Sequence, residues 1–145
     1  MKWQVSDVHL RHKVMELAIV SNVRFHRTPE GAIWTHGTYK FWADYLRVFE
    51  RLVIIARTVD VPEVASDWTR VDENNVRFVA VPYFLWPLQY LVQARRVRAA
   101  IWNAIDPNAT LLLRVPSQLA NSIAPILLRS KRSYAVEVLG DPYDA

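Results

Sequence analysis

The sequence predicts an α/β domain, a parallel β-sheet with helices packed on both faces. Three observations predict it. Five short apolar runs lack the alternation of a half-wet strand, and continuous apolar runs are the pattern of strands covered on both faces. Segments with helical spacing are interleaved with those runs, and buried strands interleaved with helices pack as a parallel sheet with right-handed crossovers. At 145 residues, 52% of them hydrophobic, the chain has the length of a single core and the material to fill it.

Glu16 to Asn22 (ELAIVSN) is the first apolar run, followed by a polar loop from Val23 to Thr38 that carries Pro29-Glu30-Gly31. Tyr39 to Glu50 places Phe41, Tyr45, Leu46 and Phe49 at the spacing of one buried helical stripe, with Thr38 as N-cap, and predicts a helix. Arg51 to Thr58 and Val76 to Val81 are the second and third strands, separated by a stretch of loop composition from Asp67 to Asn75. Pro87 opens a second helix through Ile105, with Tyr90, Ala94, Val97, Ile101 and Ile105 on one face and Arg95, Arg96 and Arg98 turned away. Asp106-Pro107-Asn108 ends it. Thr110 to Val115 is the fourth strand, and Ser117 caps a third helix to Arg129 with Pro125 as an expected kink. Ser133 to Leu139 is the fifth strand, closed by Gly140-Asp141-Pro142. Residues 1–14 read as an extension ahead of a domain over 15–145.

The composition excludes several classes. Three Gly and eight Pro are too few for a linker or a collagenous chain, and the apolar fraction excludes a disordered one. With no Cys there is neither a disulfide framework nor a thiolate site, which suits the cytoplasm. The N-terminus has no apolar h-region and does not read as a secretory signal. The apolar stretch from Phe78 to Val92, broken by Pro82 and Pro87, falls short of the roughly 18 residues of a spanning helix. No G-x-G-x-x-G and no G-K-[ST] occurs, because Gly31 and Gly37 stand alone. A net charge of +4 attracts anions in general. Nucleic acid is not the expected one, since the aromatics sit at core spacing without an RNP-like or helix-turn-helix signature.

In open α/β sheets ligands bind beyond the carboxyl ends of the strands, so the candidates are sought there. His36, Gly37 and Thr38 lie just before the first predicted helix, where exposed amides suit a phosphate or a sugar hydroxyl. Arg114, near the end of the fourth strand beside Ser117, needs either an internal carboxylate, with Glu137 on the fifth strand as partner, or a ligand anion. Glu137 and Asp141 carry carboxylates that suit a general base or hydroxyl binding, although Gly140-Asp141-Pro142 is also an ordinary turn. His9 and His12, three apart, read as solvated surface and not as metal ligands. Arg95, Arg96 and Arg98 form a basic helix face, either simply solvated or in contact with anionic lipid at the inner membrane face.

Three segments together resemble the N-terminal half of bacterial GT-B glycosyltransferases of family 4. They are Glu30-Gly31 through Tyr39-x-Phe41-Trp42-x-x-Tyr45-Leu46-x-Val48-Phe49, then Val53-Ile54-Ile55-Ala56-Arg57, and finally Leu113-Arg114-Val115-Pro116-Ser117 with Val136 to Asp144. The resemblance implies a Rossmann-like, acceptor-side domain. Its C-terminal partner, which holds most of the nucleotide sugar, lies outside these 145 residues. It further implies metal-independent transfer of a sugar from a nucleotide diphosphate to a saccharide or lipid-linked acceptor, with no resident cofactor. By position, His36 and Gly37 look like the family's donor-phosphate loop, and Arg114 to Ser117 like the loop where many members carry a histidine near the acceptor. The chain alone is then expected to be inactive. The alternative is a stand-alone, non-catalytic α/β module that recognises a glycan or a partner protein.

Overall fold

The computed structural model describes residues 14–38, 40–81 and 87–140. All five apolar runs are strands of one seven-stranded sheet. In chain order the elements are β1 (Glu16–Arg27), β2 (Ile33–Thr35), β3 (Arg51–Asp60), β4 (Thr69–Arg70), β5 (Val76–Val81), α1 (Pro87–Ala104), β6 (Thr110–Val115), α2 (Gln118–Ser130) and β7 (Ala135–Val138). β5, β3, β1, β6 and β7 lie side by side in that order, every neighbouring pair parallel. Numbered along the chain, these five strands run 3-2-1-4-5, the order of a doubly wound sheet.

β1 is the centre. Its Leu17–Val20 pair with Leu52–Ile55 on one side and with Thr110–Leu113 on the other, so this segment has no free edge. Alternate residues of the strands feed two cores. Ala18, Val20, Val53, Ile55, Leu111 and Leu113 face both helices, meeting Val97 and Ile101 of α1 and Leu119, Ile123 and Leu127 of α2. Leu17, Ile19, Leu52, Ile54 and Leu112 face the other way with Phe25, Ile33 and Trp42. A strand buried on both faces cannot alternate polar with apolar, which is why these segments read as unbroken Val, Ile and Leu.

The second face carries the main difference from expectation. The stripe of Phe41, Tyr45, Leu46 and Phe49 does pack on the sheet, but residues 41–49 are turns around a single 3₁₀ turn at Tyr45–Arg47, not an α-helix. Among the described residues, helices therefore cover one face only. Isolated short helices are marginal, and aromatic and β-branched side chains lose rotamer freedom in them, so a stripe this short gains its burial as well from turns.

The sheet is also mixed, not all parallel. β1 runs five residues past the expected end, to Arg27, and the supposed loop beyond it folds back as a hairpin in which His26 and Arg27 pair antiparallel with Trp34 and Ile33. Gly31, at φ 87°, makes the turn possible, with its N–H donating to the Thr28 carbonyl at 2.9 Å. The expected loop at Asp67–Asn75 contains β4, which pairs antiparallel with β2. Ser117 caps α2 as the sequence predicts, its hydroxyl accepting the Ala120 N–H at 3.2 Å. Among the described residues no helix is long and apolar enough to cross a membrane.

Candidate functional site

The order of the parallel strands places the switch point between β1 and β6, since the chain leaves β1 toward β3 and later returns to the opposite side. In such sheets the crevice at that point, outside the carboxyl ends, is where ligands bind. Here the crevice has a structural cause. The β6 pairing stops at Val20 and Leu113, while the register of β1 against β3 shifts between Val20 and Arg24. Ser21, Asn22 and Val23 fill the shift. The buried Ser21 hydroxyl accepts the Val23 N–H at 3.3 Å, and Arg57 Nη2 donates to the Asn22 carbonyl at 3.2 Å. The Asn22 Oδ1 is buried and accepts no hydrogen bond among the described residues.

Arg114 is the charged group at the end of β6, only 8% exposed. The parallel register sets it opposite Glu137 on β7, and its Nε donates to Glu137 Oε2 at 2.6 Å. Its guanidinium carbon also lies 4.0 Å from the centre of the Phe41 ring, a cation–π contact. The sequence offered Arg114 a carboxylate or a ligand anion, and the carboxylate is the one present. Nε is the donor so engaged, and a guanidinium carries four more N–H donors on its two terminal nitrogens. A cis Val115–Pro116 bond and the Ser117 cap then turn the chain into α2 directly beyond Arg114. Arg114, Ser117 and Glu137 are thus brought to one end of the sheet. Asp141, like His9 and His12, lies outside the described residues.

His36, Gly37 and Thr38 follow β2 instead of preceding a helix, so the helix N-terminus that would hold a phosphate there is not formed. His36 instead belongs to a ring cluster. Its ring centre lies 4.5 Å from that of His26 and 4.4 Å from that of Trp68, and His26 and Trp68 are themselves 4.5 Å apart. Gly37 is held through its carbonyl, which accepts the Thr69 hydroxyl at 2.6 Å. No spacing in the sequence announces this cluster, because β1, the residue after β2 and the approach to β4 supply one ring each.

Burial holds the His26 imidazole below its ordinary value near 6.5, and the neighbouring His36 and Arg24 charges add to the effect. The folded state therefore binds fewer protons at His26 than the unfolded chain does. The resulting stability is fully present above about pH 6.5 and is lost as pH falls through the lower folded value. Thermal melts taken between about pH 7 and pH 5 are expected to move to lower temperature, with His26→Phe flattening part of that dependence. A wild-type melt that does not change over that range would sink the assignment.

A second concavity, an open groove of about 450 Å³, lies on the helix-free face between the hairpin and β5. Arg27, Asp72, Arg77 and Phe78 line it. Arg27 is paired with Asp60 at 2.8 Å, Asp72 with Arg70 at 3.1 Å, and Arg77 donates to the Ala104 carbonyl at 3.3 Å, so all three of its charges already have partners. The basic face of α1 stands as expected, with Arg95, Arg96 and Arg98 all exposed. Among the described residues no three His, Asp or Glu side chains converge on one point.

No protein-family model matches this chain, and no solved structure does. Among curated proteins it is similar to Protein CapJ of Staphylococcus aureus, 27% identical over 133 residues, which cover 90% of this chain. The same alignment covers 33% of CapJ, so the chain spans about a third of the length of the curated relative it matches.

Proposed function

We propose that this chain is the acceptor-side domain of a GT-B glycosyltransferase of the family 4 type, acting in polysaccharide synthesis. The complete enzyme moves a sugar from a nucleotide diphosphate to a saccharide or lipid-linked acceptor, and the donor occupies chiefly a second domain. The observation that carries the reading is the 3-2-1-4-5 strand order with a deeply set Arg114 at its switch point. Ligands of this architecture gather there, and a guanidinium with donors beyond the one used by Glu137 suits a phosphate or an acidic sugar. The similarity to CapJ, a chain about three times as long as the matched part, is consistent with a larger enzyme. Val136 and Val138 on the edge strand β7 are 52% and 68% exposed, the kind of apolar surface that a docked domain covers.

In this reading the residues divide the work. Arg114 holds the anionic group, Glu137 and Phe41 hold Arg114, and Ser117 fixes the start of α2 beside it. The second reading, a non-catalytic module or accessory subunit, is favoured by the two cores that already line both faces of the sheet.

The test is sugar transfer by the complete product of the coding DNA read past Ala145, supplied with nucleotide sugars and saccharide acceptors. The expected result is a frame that continues into a second β/α domain and a product that consumes donor. Arg114→Met should lower kcat/KM about tenfold or more, the loss of one charge-assisted contact. A stop codon directly after Ala145, with glycan binding but no transfer, would establish the module instead.

A further inference from the structure

Helix α1 turns Ala94, Val97 and Ile101 into the core, yet the opposite side of its first turns is apolar too. Leu88, Leu91 and Val92 are 75%, 69% and 86% exposed. At i, i+3 and i+4 they share one face, and Arg95, Arg96 and Ala99 continue that face along the helix with Arg98 at its flank. Among the described residues none of the three arginines forms an ion pair. The helix therefore presents an apolar end and a basic end on a single surface that the sheet does not use.

An apolar trio alone suits any apolar partner. Three exposed guanidiniums beside it, without an ion-pair partner among the described residues, select a partner that is anionic at its surface and apolar a few ångströms below. We propose that this face of α1 docks on an anionic phospholipid bilayer, with Leu88, Leu91 and Val92 inserted among the acyl chains and Arg95, Arg96 and Arg98 at the headgroup phosphates. Interfacial helices have this division of labour, in which apolar burial and attraction to anionic lipid add together. The net charge of +4 strengthens the approach. The helix lies on the bilayer and does not cross it. The inference rests on α1 alone and not on the transfer reaction, so either can fail without the other.

The experiment is co-sedimentation of the 145-residue chain with vesicles of phosphatidylcholine, or of equimolar phosphatidylcholine and phosphatidylglycerol. Binding is expected to the anionic vesicles only, weakening as salt rises. Arg95→Gln with Arg96→Gln should reduce partitioning about thirtyfold, since each surface-facing Arg contributes about a fivefold gain. Leu91→Gln with Val92→Gln should reduce it about tenfold or more, through lost insertion of apolar area. All four positions are exposed, so the variants should keep the wild-type melting temperature, which is the control for folding. Three results would overturn the proposal. They are no binding to either vesicle, a Leu91/Val92 variant that binds like wild type, and a wild-type dimer that the same variant dissociates while leaving sedimentation unchanged.

Discussion

Replacing Phe25 by Ala is expected to cost about 3–5 kcal/mol of unfolding free energy, the largest single loss among the substitutions considered. Phe25 is fully buried on the face of the sheet opposite α1 and α2, where no α-helix among the described residues stands behind it to shift into the space. Its ring meets Phe78 edge-on at 5.0 Å and Phe41 at 6.5 Å, so truncation removes both transfer energy and aromatic contacts. Phe41 in turn underlies the Arg114 guanidinium, and the cavity should loosen that support as well as the core. Urea denaturation measures the loss, with Phe25→Leu expected to recover most of it. A change under about 1 kcal/mol in Phe25→Ala would mean that the ring is not a core residue.

Glu137→Ala is the second. It leaves Arg114 deep in the structure with its Nε–H unpaired, and an uncompensated buried charge costs about 3–5 kcal/mol where both partners are sealed from water. The Glu137 side chain is 36% exposed, and Phe41 still faces the guanidinium, so about 2–3 kcal/mol is the expected value. Arg114→Met combined with Glu137→Met should lie closer to wild type than Glu137→Ala does, because neither charge then has to be desolvated. A double-mutant cycle read by denaturation separates the pair from its surroundings. A coupling energy near zero would show that the 2.6 Å contact contributes nothing to the fold.

The two variants probe different layers. Phe25 belongs to the fold, whereas the Arg114–Glu137 pair also sets which donors of the guanidinium remain for a ligand. A variant that destabilises through Phe25 should affect transfer only as far as it unfolds the protein. Arg114→Met should affect transfer while the chain stays folded.

Some of this was legible in the residues. The five parallel strands, α1 and α2 follow from local signals: near-continuous Val, Ile and Leu runs for the doubly covered β1, β3 and β6, short β-branched runs for β5 and the exposed edge β7, Pro87 at a helix start, Ser117 as a cap. The Arg114–Glu137 pair was legible for an energetic reason, since a cation near the end of a buried strand must find an anion, and the adjacent strand carries one. Other features left no local trace. β2 and β4 are three and two residues long, too short to show a period, and they exist because His26 pairs with Trp34 in the hairpin and Trp34 pairs with Arg70 across a longer stretch of chain. The ring cluster of His26, His36 and Trp68 follows from those pairings.

The segment between β1 and β3 marks the boundary between the two kinds of information. Its stripe of Phe41, Tyr45, Leu46 and Phe49 fixed which side chains would be buried, and they are on the sheet. It did not fix the backbone that buries them, because a short stripe can be satisfied by an α-helix or by turns, and contacts with Phe25 and Arg114 favour one of the two. Hydrophobic periodicity determined the layers of this protein, since burial depends on each residue's own side chain. Only the tertiary structure decided the hairpin, the ring cluster and the crevice at Ser21–Val23, since their energies belong to pairs of residues on different elements and not to any one side chain.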